Sequence, residues 1–216
     1  MIRLWHVAQS RSFRVLWALE EIGAPYELIH CSFFDTSLRS PEHLARAPAG
    51  RVPAIEIDGQ SLCESGAILL YLAECFAPHL RPAEGAAHRA AFLQGLHYAE
   101  TLGAMLSNLT QHHIVLRSAE MRSATVMRLE ARRLENALRS LGPEWVAGSF
   151  SVADIALGYG VLLAQRFVAL PDGAAAYLAQ AAARPAFQRA LACDGQAQIY
   201  LRDFYPPPEK PPEGRG

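Results

Sequence analysis

An acidic residue and a hydroxyl stand side by side at Glu64-Ser65, directly before a stretch with helical spacing. A helix start exposes free backbone amides and the positive end of the helix dipole, so a serine there favours a carboxylate ligand. The glutamate carries the opposite charge and suits an amine. A ligand with a carboxylate and an ammonium group on one carbon would satisfy both residues. The alternative is that Ser65 only caps its helix.

Val52-Pro53 precedes a short run of strand-forming residues, Ala54 to Ile57. Proline cannot donate to a strand ladder and is common in tight turns, where its peptide bond is sometimes cis. A cis bond would leave the Val52 amide and carbonyl pointing out of the sheet, free to pair with an extended peptide. An ordinary trans proline at the strand start is the alternative. Asp58-Gly59 follows and predicts a two-residue hairpin.

The order Val-Pro-Ala, hairpin and Glu-Ser-Gly-Ala-Ile resembles the glutathione-binding half of the glutathione transferase superfamily. The resemblance implies a thioredoxin-like domain whose cis-proline loop pairs with the cysteinyl backbone of the co-substrate glutathione. It implies that Glu64 and Ser65 hold the γ-glutamyl end, and it carries Val52 and Pro53 over as ligand residues. Arg51 stands where many members have lysine, in reach of a carboxylate of the tripeptide.

The elements that must position these residues alternate between strand and helix. The sequence predicts strands over 2–5, 26–30, 54–57 and 60–62, and helices over 12–22, 41–46 and 65–76. The order is therefore β-α-β, a short helix, and β-β-α. This order matches the first domain of the family that the motifs resemble, an α/β thioredoxin-like domain.

The second half of the chain has only helical patterns. Apolar residues recur there at alternating spacings of four and three, while 78–87 contain two prolines and a glycine. We therefore expect a thioredoxin-like glutathione-binding domain over 1–77, a linker over 78–87, an all-α domain over 88–204 and a proline-rich tail over 205–216.

The helical half contains one specific helix-start motif. Ser151 can cap a helix while Asp154, three residues on, accepts a bond from the Ser151 amide, which is a capping box with aspartate in place of glutamate. Phe150 and Ile155 occupy the positions of a hydrophobic staple. The motif is structural, and it also resembles the capping motif in the helical domain of glutathione transferases.

The family resemblance implies a hydroxyl or thiol facing the glutathione sulfur at the start of the first helix. The candidates are Ser10 and Ser12, and the spacing of four from Ser10 to Arg14 favours Ser10. Ser12 competes, although it can instead cap the helix and leave Ser10 in a solvent-facing loop. No tyrosine precedes Tyr26 and no cysteine precedes Cys31, so tyrosine-type and cysteine-type chemistry lack a candidate.

The electrophile pocket is expected between the two domains. The candidates by position are Phe13, Phe34, Tyr98, Met105, His112 and Arg117. His112 and His113 project about 100° apart on a helix and cannot serve one metal from the same face, so no metal is predicted. Family dimers place acidic residues near Glu100 against the partner's glutathione amine.

Composition excludes several classes of protein. The chain has 216 residues, 51% of them hydrophobic and 19% charged, with a net charge of −1. The low net charge leaves no electrostatic footprint for nucleic acid or an anionic membrane, and the start of the chain lacks a signal-peptide layout. Four cysteines show no metal-ligand spacing. We expect a cytoplasmic protein with reduced thiols, and the resemblance implies a homodimer.

The sequence thus predicts a cytosolic, bacterial-type glutathione transferase with a serine-type site. It would bind glutathione, hold it as a thiolate and let it attack a small hydrophobic electrophile. One alternative keeps glutathione but changes the reaction to isomerisation, dehalogenation or ether cleavage. Another is a non-catalytic binding protein with a residual glutathione site. The fold alone does not identify the electrophile.

Overall fold

The computed structural model describes residues 1–116, 118–196 and 199–200, with the side chains of 114 and 119 left aside. The candidate Arg117 and the expected tail over 205–216 lie outside these residues. The first part of the chain forms a mixed sheet with helices: β1 Ile2–His6, α1 Ser12–Ile22, β2 Tyr26–His30, α2 Pro41–Arg46, β3 Ala54–Ile57, β4 Gln60–Cys63 and α3 Ser65–Phe76. The predicted β-α-β and β-β-α order is confirmed.

The sheet has the strand order β2-β1-β3-β4. β1 runs parallel to β2, which requires the crossover through α1, while β3 is antiparallel to both β1 and β4. Asp58 and Gly59 join β3 to β4 with positive φ at both positions, 50° and 83°. Positive φ at both central residues is the type I′ turn that fits the twist of a hairpin.

The register of the sheet brings three distant segments to one edge. Ala54 pairs with Trp5 on one side and with Cys63 on the other. The loop after β1, the Val52-Pro53 step before β3 and the Glu64-Ser65 step after β4 therefore all emerge there. The chemistry-bearing residues singled out in the sequence meet at this edge.

The rest of the described chain is helical, with α4 Arg89–Ile114, α5 Ala124–Leu138, α6 Val152–Ala164, α7 Asp172–Ala182 and α8 Pro185–Cys193. The residues from Val152 to Val161 are all buried, so α6 is the central helix of this part. Its capping box forms as predicted, with Ser151 and Asp154 exchanging both bonds. None of the helices within the described ranges is both long and apolar enough to cross a bilayer.

One hydrophobic core runs from the sheet into the helical part. Phe13 and Trp17 of α1 contact Phe187 of α8, with Phe187 ring centroids 5.6 Å and 4.9 Å away. The fold is an α/β thioredoxin-like part followed by an all-α part, as predicted. The shared core fixes α1 against both parts, so the start of α1 is held from two sides. The domain boundaries at 77 and 88 stay predictions.

Candidate active site

A cavity of about 200 Å³ opens at the sheet edge, between the loop after β1 and the helices α4 and α6. It brings Ser10, Arg51 and Val52 together, three of the residues predicted from the sequence. The other described residues that line it come from the same loop, the segment after β2, the two helices and the end of the described chain: Gln9, Arg11, Phe33, Gly103, Leu106, Ser107, Thr110, Tyr159, Leu163, Ile199 and Tyr200.

The two candidate serines lie one behind the other at the start of α1. Ser10 is 7% exposed and lines the cavity, whereas Ser12 is fully buried. The Ser12 amide donates to Ser10 Oγ at 3.3 Å, and the two hydroxyl oxygens are 2.8 Å apart. Ser10 therefore sits where a ligand in the cavity would meet its hydroxyl.

Ser12 is not a helix cap. Its Oγ lies 2.8 Å from Nδ1 of His6 and 2.8 Å from Ser10 Oγ. The same oxygen lies 3.1 Å from the Val7 carbonyl oxygen and accepts a hydrogen bond from the Val7 amide at 3.2 Å. The residue at the N-cap position is Arg11, and within the described chain it makes no side-chain capping bond. The capping role considered for Ser12 is therefore wrong, because its hydroxyl is taken up by the loop after β1.

The Val52–Pro53 peptide bond is cis, as one of the two interpretations of the sequence predicts. Among the residues that the structure describes, the Val52 amide and carbonyl have no hydrogen-bond partner. The preceding carbonyl, that of Arg51, accepts a bond from Nε2 of the buried His43 at 3.0 Å. The backbone before β3 is thus held at Arg51 by His43, while the peptide groups of Val52 are left free to bind a ligand.

Glu64 and Ser65 start α3 without a side-chain cap in the described structure. Glu64 occupies the N-cap position with φ 72°, and its side chain is exposed. Ser65 is the first helical residue, 5% exposed, and its Oγ accepts a bond from Nη1 of Arg14 at 3.1 Å. The capping alternative for Ser65 is therefore wrong. The amides of the first turn and the dipole remain available for an anion.

Arg14 and Glu100 tie the helix start to α4. Arg14 is buried, donates to the Glu100 carboxylate, and donates to the Ala99 carbonyl at 3.3 Å. Arg11 binds the other Glu100 oxygen at 2.6 Å, and its guanidinium lies against Gly103, where a Cβ would come within 2.6 Å of it. In this chain Glu100 therefore neutralises two arginines of its own subunit.

The charges of this cluster depend on one another. Burial raises the pKa of Glu100, but attraction to Arg14 and then Arg11, with their hydrogen bonds, outweighs it and leaves the pKa below its usual value. Burial lowers the pKa of Arg14, and the Glu100 carboxylate opposes that effect. Removing the carboxylate would leave a buried cation without its counter-ion.

We expect Glu100→Gln to destabilise the fold by about 1–2 kcal/mol, at the low end for a charge partner because solvent reaches Glu100. That loss corresponds to a melting temperature lower by about 2–8 °C, measured by calorimetry. A carboxyl with a lowered folded pKa stabilises above its unfolded value of 4.5 and loses that contribution as the pH falls. Wild type should therefore lose stability below about pH 4.5 more steeply than the variant. Equal slopes would contradict this account of the cluster.

The structure places the electrophile candidates in several environments. Phe13 is buried in the aromatic cluster with Tyr159 and Phe187, and borders a neighbouring cavity of about 90 Å³. Phe34 is 62% exposed, whereas its neighbour Phe33 lines the cavity at Ser10. Roles for both stay predictions.

The candidates on α4 also lie in different surroundings. Tyr98 donates to the Ala137 carbonyl at 3.0 Å and lines a different cavity, of about 510 Å³. Met105 is half-buried against the core, and His112 bonds the Asn108 carbonyl of the preceding turn at 2.9 Å. No cluster of three or more metal-ligating side chains is present in the described ranges.

Sequence reasoning missed the helical wall of the cavity. Leu106, Ser107 and Thr110 of α4 and Tyr159 and Leu163 of α6 contribute to it. The apolar stripe on α4 reaches Leu106, and four residues further it meets a threonine, which is a polar residue on an apolar face. That interruption is the signal that would have found Thr110. The α6 residues carry no comparable signal.

The chain is similar to known proteins in both sequence and fold. The family model for the N-terminal domain of glutathione S-transferases matches residues 1–74. A solved glutathione transferase family member from Pseudomonas fluorescens, with two glutathione molecules bound, is 28% identical with a TM-score of 0.74, over 88% of this chain and 92% of that one. Residues 1–74 thus match the glutathione S-transferase family, and the fold over 88% of the chain is similar to that of a solved glutathione transferase family member.

A theta-class glutathione S-transferase from Xanthomonas axonopodis, solved with glutathione bound, is similar in the same way, with 27% identity and a TM-score of 0.71 over 88% of this chain and 96% of that one. Curated relatives match over a shorter stretch. A maleylacetoacetate isomerase from Rhizobium meliloti is 46% identical over 65 residues, 30% of each chain. Glutathione S-transferase 3 from Schizosaccharomyces pombe is 37% identical over 84 residues, 39% of this chain and 34% of its own length. The matched stretch thus spans about a third of these curated superfamily members.

Proposed function

We propose that the chain is a glutathione transferase of the serine type. It binds glutathione along the sheet edge and activates it as a thiolate at Ser10 for attack on a small hydrophobic electrophile. One observation carries the proposal: the loop bearing Ser10 and the unpaired Val52 backbone line one cavity, and the register of the sheet brings the start of α3 to the same edge, although Glu64 and Ser65 do not line that cavity themselves. The solved relatives that hold glutathione support the choice of ligand.

Each part of the tripeptide has a complementary group. The unpaired amide and carbonyl of Val52 pair with the cysteinyl backbone as another strand would. Ser65 and the amides of the first turn of α3 hold the γ-glutamyl carboxylate, while the exposed Glu64 faces its ammonium group. Arg51, which lines the cavity beside Val52, takes a carboxylate of the tripeptide. No metal takes part in this proposal.

Ser10 stabilises the thiolate by donating its hydroxyl hydrogen to the sulfur. A thiol has a pKa near 8.5, and lowering it by about 2 units requires about 2.7 kcal/mol of preferential stabilisation of the thiolate. A charge-assisted hydrogen bond contributes about 1.5–3 kcal/mol, and the positive end of α1 adds up to about 1 kcal/mol. The two effects together reach the required size.

The electrophile site is the helical wall of the cavity. Leu106, Tyr159 and Leu163 supply apolar surface, and Phe33 closes the side towards β2. The match to a maleylacetoacetate isomerase favours one second candidate, a glutathione-dependent isomerase. Incubation with maleylacetoacetate distinguishes the two, because an isomerase returns glutathione unconsumed and a transferase consumes it. We include in the proposal a homodimer, a cytoplasmic location and the expected domain boundaries at 77 and 88. These three points rest on the likeness to glutathione transferases.

Calorimetric titration with glutathione tests the binding site. We expect wild type to bind, and Ser65→Ala to bind about tenfold more weakly, because one hydrogen bond to a carboxylate is lost while the helix amides remain. Ser61→Ala is the matched control, since Ser61 is an exposed serine of β4 on the approach to the same edge. Equal affinities for the three proteins would reject the assigned site, and no binding to wild type would reject the function.

A further inference from the structure

His6 is a fully buried histidine at the end of β1, and the proposed function leaves it without a role. Its two ring nitrogens join the serine pair to the last described helix. Nδ1 lies 2.8 Å from Ser12 Oγ, and Ser12 Oγ lies 2.8 Å from Ser10 Oγ. On the other side, Nε2 contacts Asp194 beyond the end of α8. A continuous chain of hydrogen bonds thus links Asp194 to the hydroxyl in the cavity.

The Asp194 contacts fix which nitrogen carries a proton. Nε2 of His6 lies 2.9 Å from the Asp194 carbonyl oxygen and 3.3 Å from its carboxylate, and both groups can only accept. Nε2 therefore holds a hydrogen in either charge state of the ring. The same carboxylate also accepts the Gln9 amide at 3.0 Å, which ties it to the loop that carries Ser10.

With a neutral His6, both Nδ1 and the Val7 carbonyl oxygen can accept from Ser12, and Nδ1 is the nearer, at 2.8 Å against 3.1 Å, so we assign the Ser12 hydrogen to Nδ1. Ser12 has a single hydroxyl hydrogen, so the 2.8 Å contact between the serines requires Ser10 to donate to Ser12. The Val7 amide fills the remaining acceptor position on Ser12. Ser10 then presents an oxygen lone pair to the cavity, which accepts a thiol hydrogen but repels a thiolate.

With a proton on Nδ1, the bond between His6 and Ser12 and the bond between Ser12 and Ser10 both reverse, while Nε2 still donates to Asp194. His6 donates to Ser12, Ser12 donates to Ser10, and the Ser10 hydrogen is free to point into the cavity at a sulfur anion. The Asp194 carboxylate opposes the imidazolium charge at 3.3 Å. The titratable groups on the neighbouring strand are His30 of β2, whose ring centroid is 5.8 Å from that of His6, and Cys31, whose amide donates to the His6 carbonyl at 2.7 Å. Burial raises the pKa of the Cys31 thiol.

We propose that His6 takes up the proton that bound glutathione loses, through Ser10 and Ser12. The S–H bond breaks and its hydrogen passes to Ser10 Oγ; the Ser10 hydrogen passes to Ser12 Oγ, and the Ser12 hydrogen to Nδ1 of His6. One thiol and one neutral imidazole become one thiolate and one imidazolium, with no net change in charge and no other reactant. This inference rests on the proposed function.

The relay makes His6 a positioning and proton-accepting residue rather than a contact of the substrate. It explains why Ser12 is buried instead of capping α1, and why Asp194 reaches across from the helical part to the loop after β1. Because the serines only pass hydrogens along, neither has to act as a base. The thiolate and its proton stay within one site.

Nitrogen-15 NMR of the histidine rings tests the relay directly. In the free protein at neutral pH we expect His6 as the neutral tautomer with hydrogen on Nε2. Glutathione should convert it to the imidazolium form, whereas S-methylglutathione, which has no thiol hydrogen to give, should leave it neutral. A His6 that stays neutral with glutathione, or is already charged in the free protein, overturns the proposal.

His6→Asn provides the second test, because an amide keeps a polar contact with Ser12 but takes up no proton. We expect the pKa of bound glutathione to rise by about one unit, a roughly tenfold smaller thiolate fraction at fixed pH below the midpoint. His30→Asn is the matched control, and glutathione bound to this variant should have the same thiol pKa as glutathione bound to wild type. If His6→Asn does not fold, Ser12→Ala breaks the relay while His6 itself is kept. This variant should give the same rise in the pKa of bound glutathione.

The two proposals fail separately. A wild-type complex whose thiol titrates as free glutathione does rejects the proposed function itself. A wild-type complex with a lowered thiol pKa, unchanged in His6→Asn and in Ser12→Ala, leaves the function standing and rejects the relay.

Discussion

Replacing Ser10 by alanine is expected to lower kcat/KM about 10- to 150-fold with glutathione and the aryl halide chlorodinitrobenzene, the range for losing one charge-assisted hydrogen bond of about 1.5–3 kcal/mol. The loss should appear in kcat, with KM for glutathione nearly unchanged, because the bond exists to the thiolate rather than to the tripeptide backbone. Steady-state rates across a range of pH measure it. The pH at which the rate reaches half its maximum should also rise in the variant.

Ser107→Ala is the control for this substitution. Ser107 also lines the cavity, but it lies on α4 rather than at the start of α1. Its removal changes the volume and polarity of the cavity without touching the helix start. Equal losses in the two variants would show that Ser10 acts only as part of the cavity wall.

Asp154→Ala is expected to destabilise the fold by about 3–5 kcal/mol, the cost of leaving several buried donors without their acceptor. The fully buried carboxylate accepts four hydrogen bonds: from the Ser151 amide at 2.9 Å and its hydroxyl at 2.7 Å, from the Val146 amide at 3.0 Å, and from the Tyr177 hydroxyl at 2.6 Å. It thus fixes the start of α6, the loop before it and α7 together. Denaturant unfolding measures the loss.

Asp172→Ala is the matched control, because Asp172 is an exposed aspartate in the first turn of α7. We expect a change within about 0.5 kcal/mol, as for surface substitutions away from special features. Similar losses in both variants would mean that a charge near a helix start matters, rather than the buried network around α6.

The local features of this chain could be predicted from its sequence. The hairpin at Asp58-Gly59, the capping box at Ser151 and the end of α1 at Gly23 each depend on backbone angles or bonds within a few residues. Gly23 adopts φ 70° and its amide bonds the Leu19 carbonyl at 2.9 Å, as a helix-ending glycine does. Such motifs are readable because the residues that determine them are neighbours in the chain.

The site could be predicted only in part, because much of it is built from residues far apart in sequence. His6 contacts Asp194 across 188 positions, and Arg14 contacts Glu100 across 86. Neither pairing leaves a local pattern. The sequence offers Phe34 as a candidate, whereas Phe33 lines the cavity, because the segment after β2 has no periodicity to show which side chain turns inwards.

The pH titration of thiolate absorbance in the wild-type complex with glutathione tests the central claim most directly. The account predicts a bound thiol with a midpoint about 2 units below the free value near 8.5, and no such shift with Ser10→Ala. A midpoint at the free value in the wild-type complex would contradict it, because the cavity at Ser10 would then hold the tripeptide without activating its sulfur.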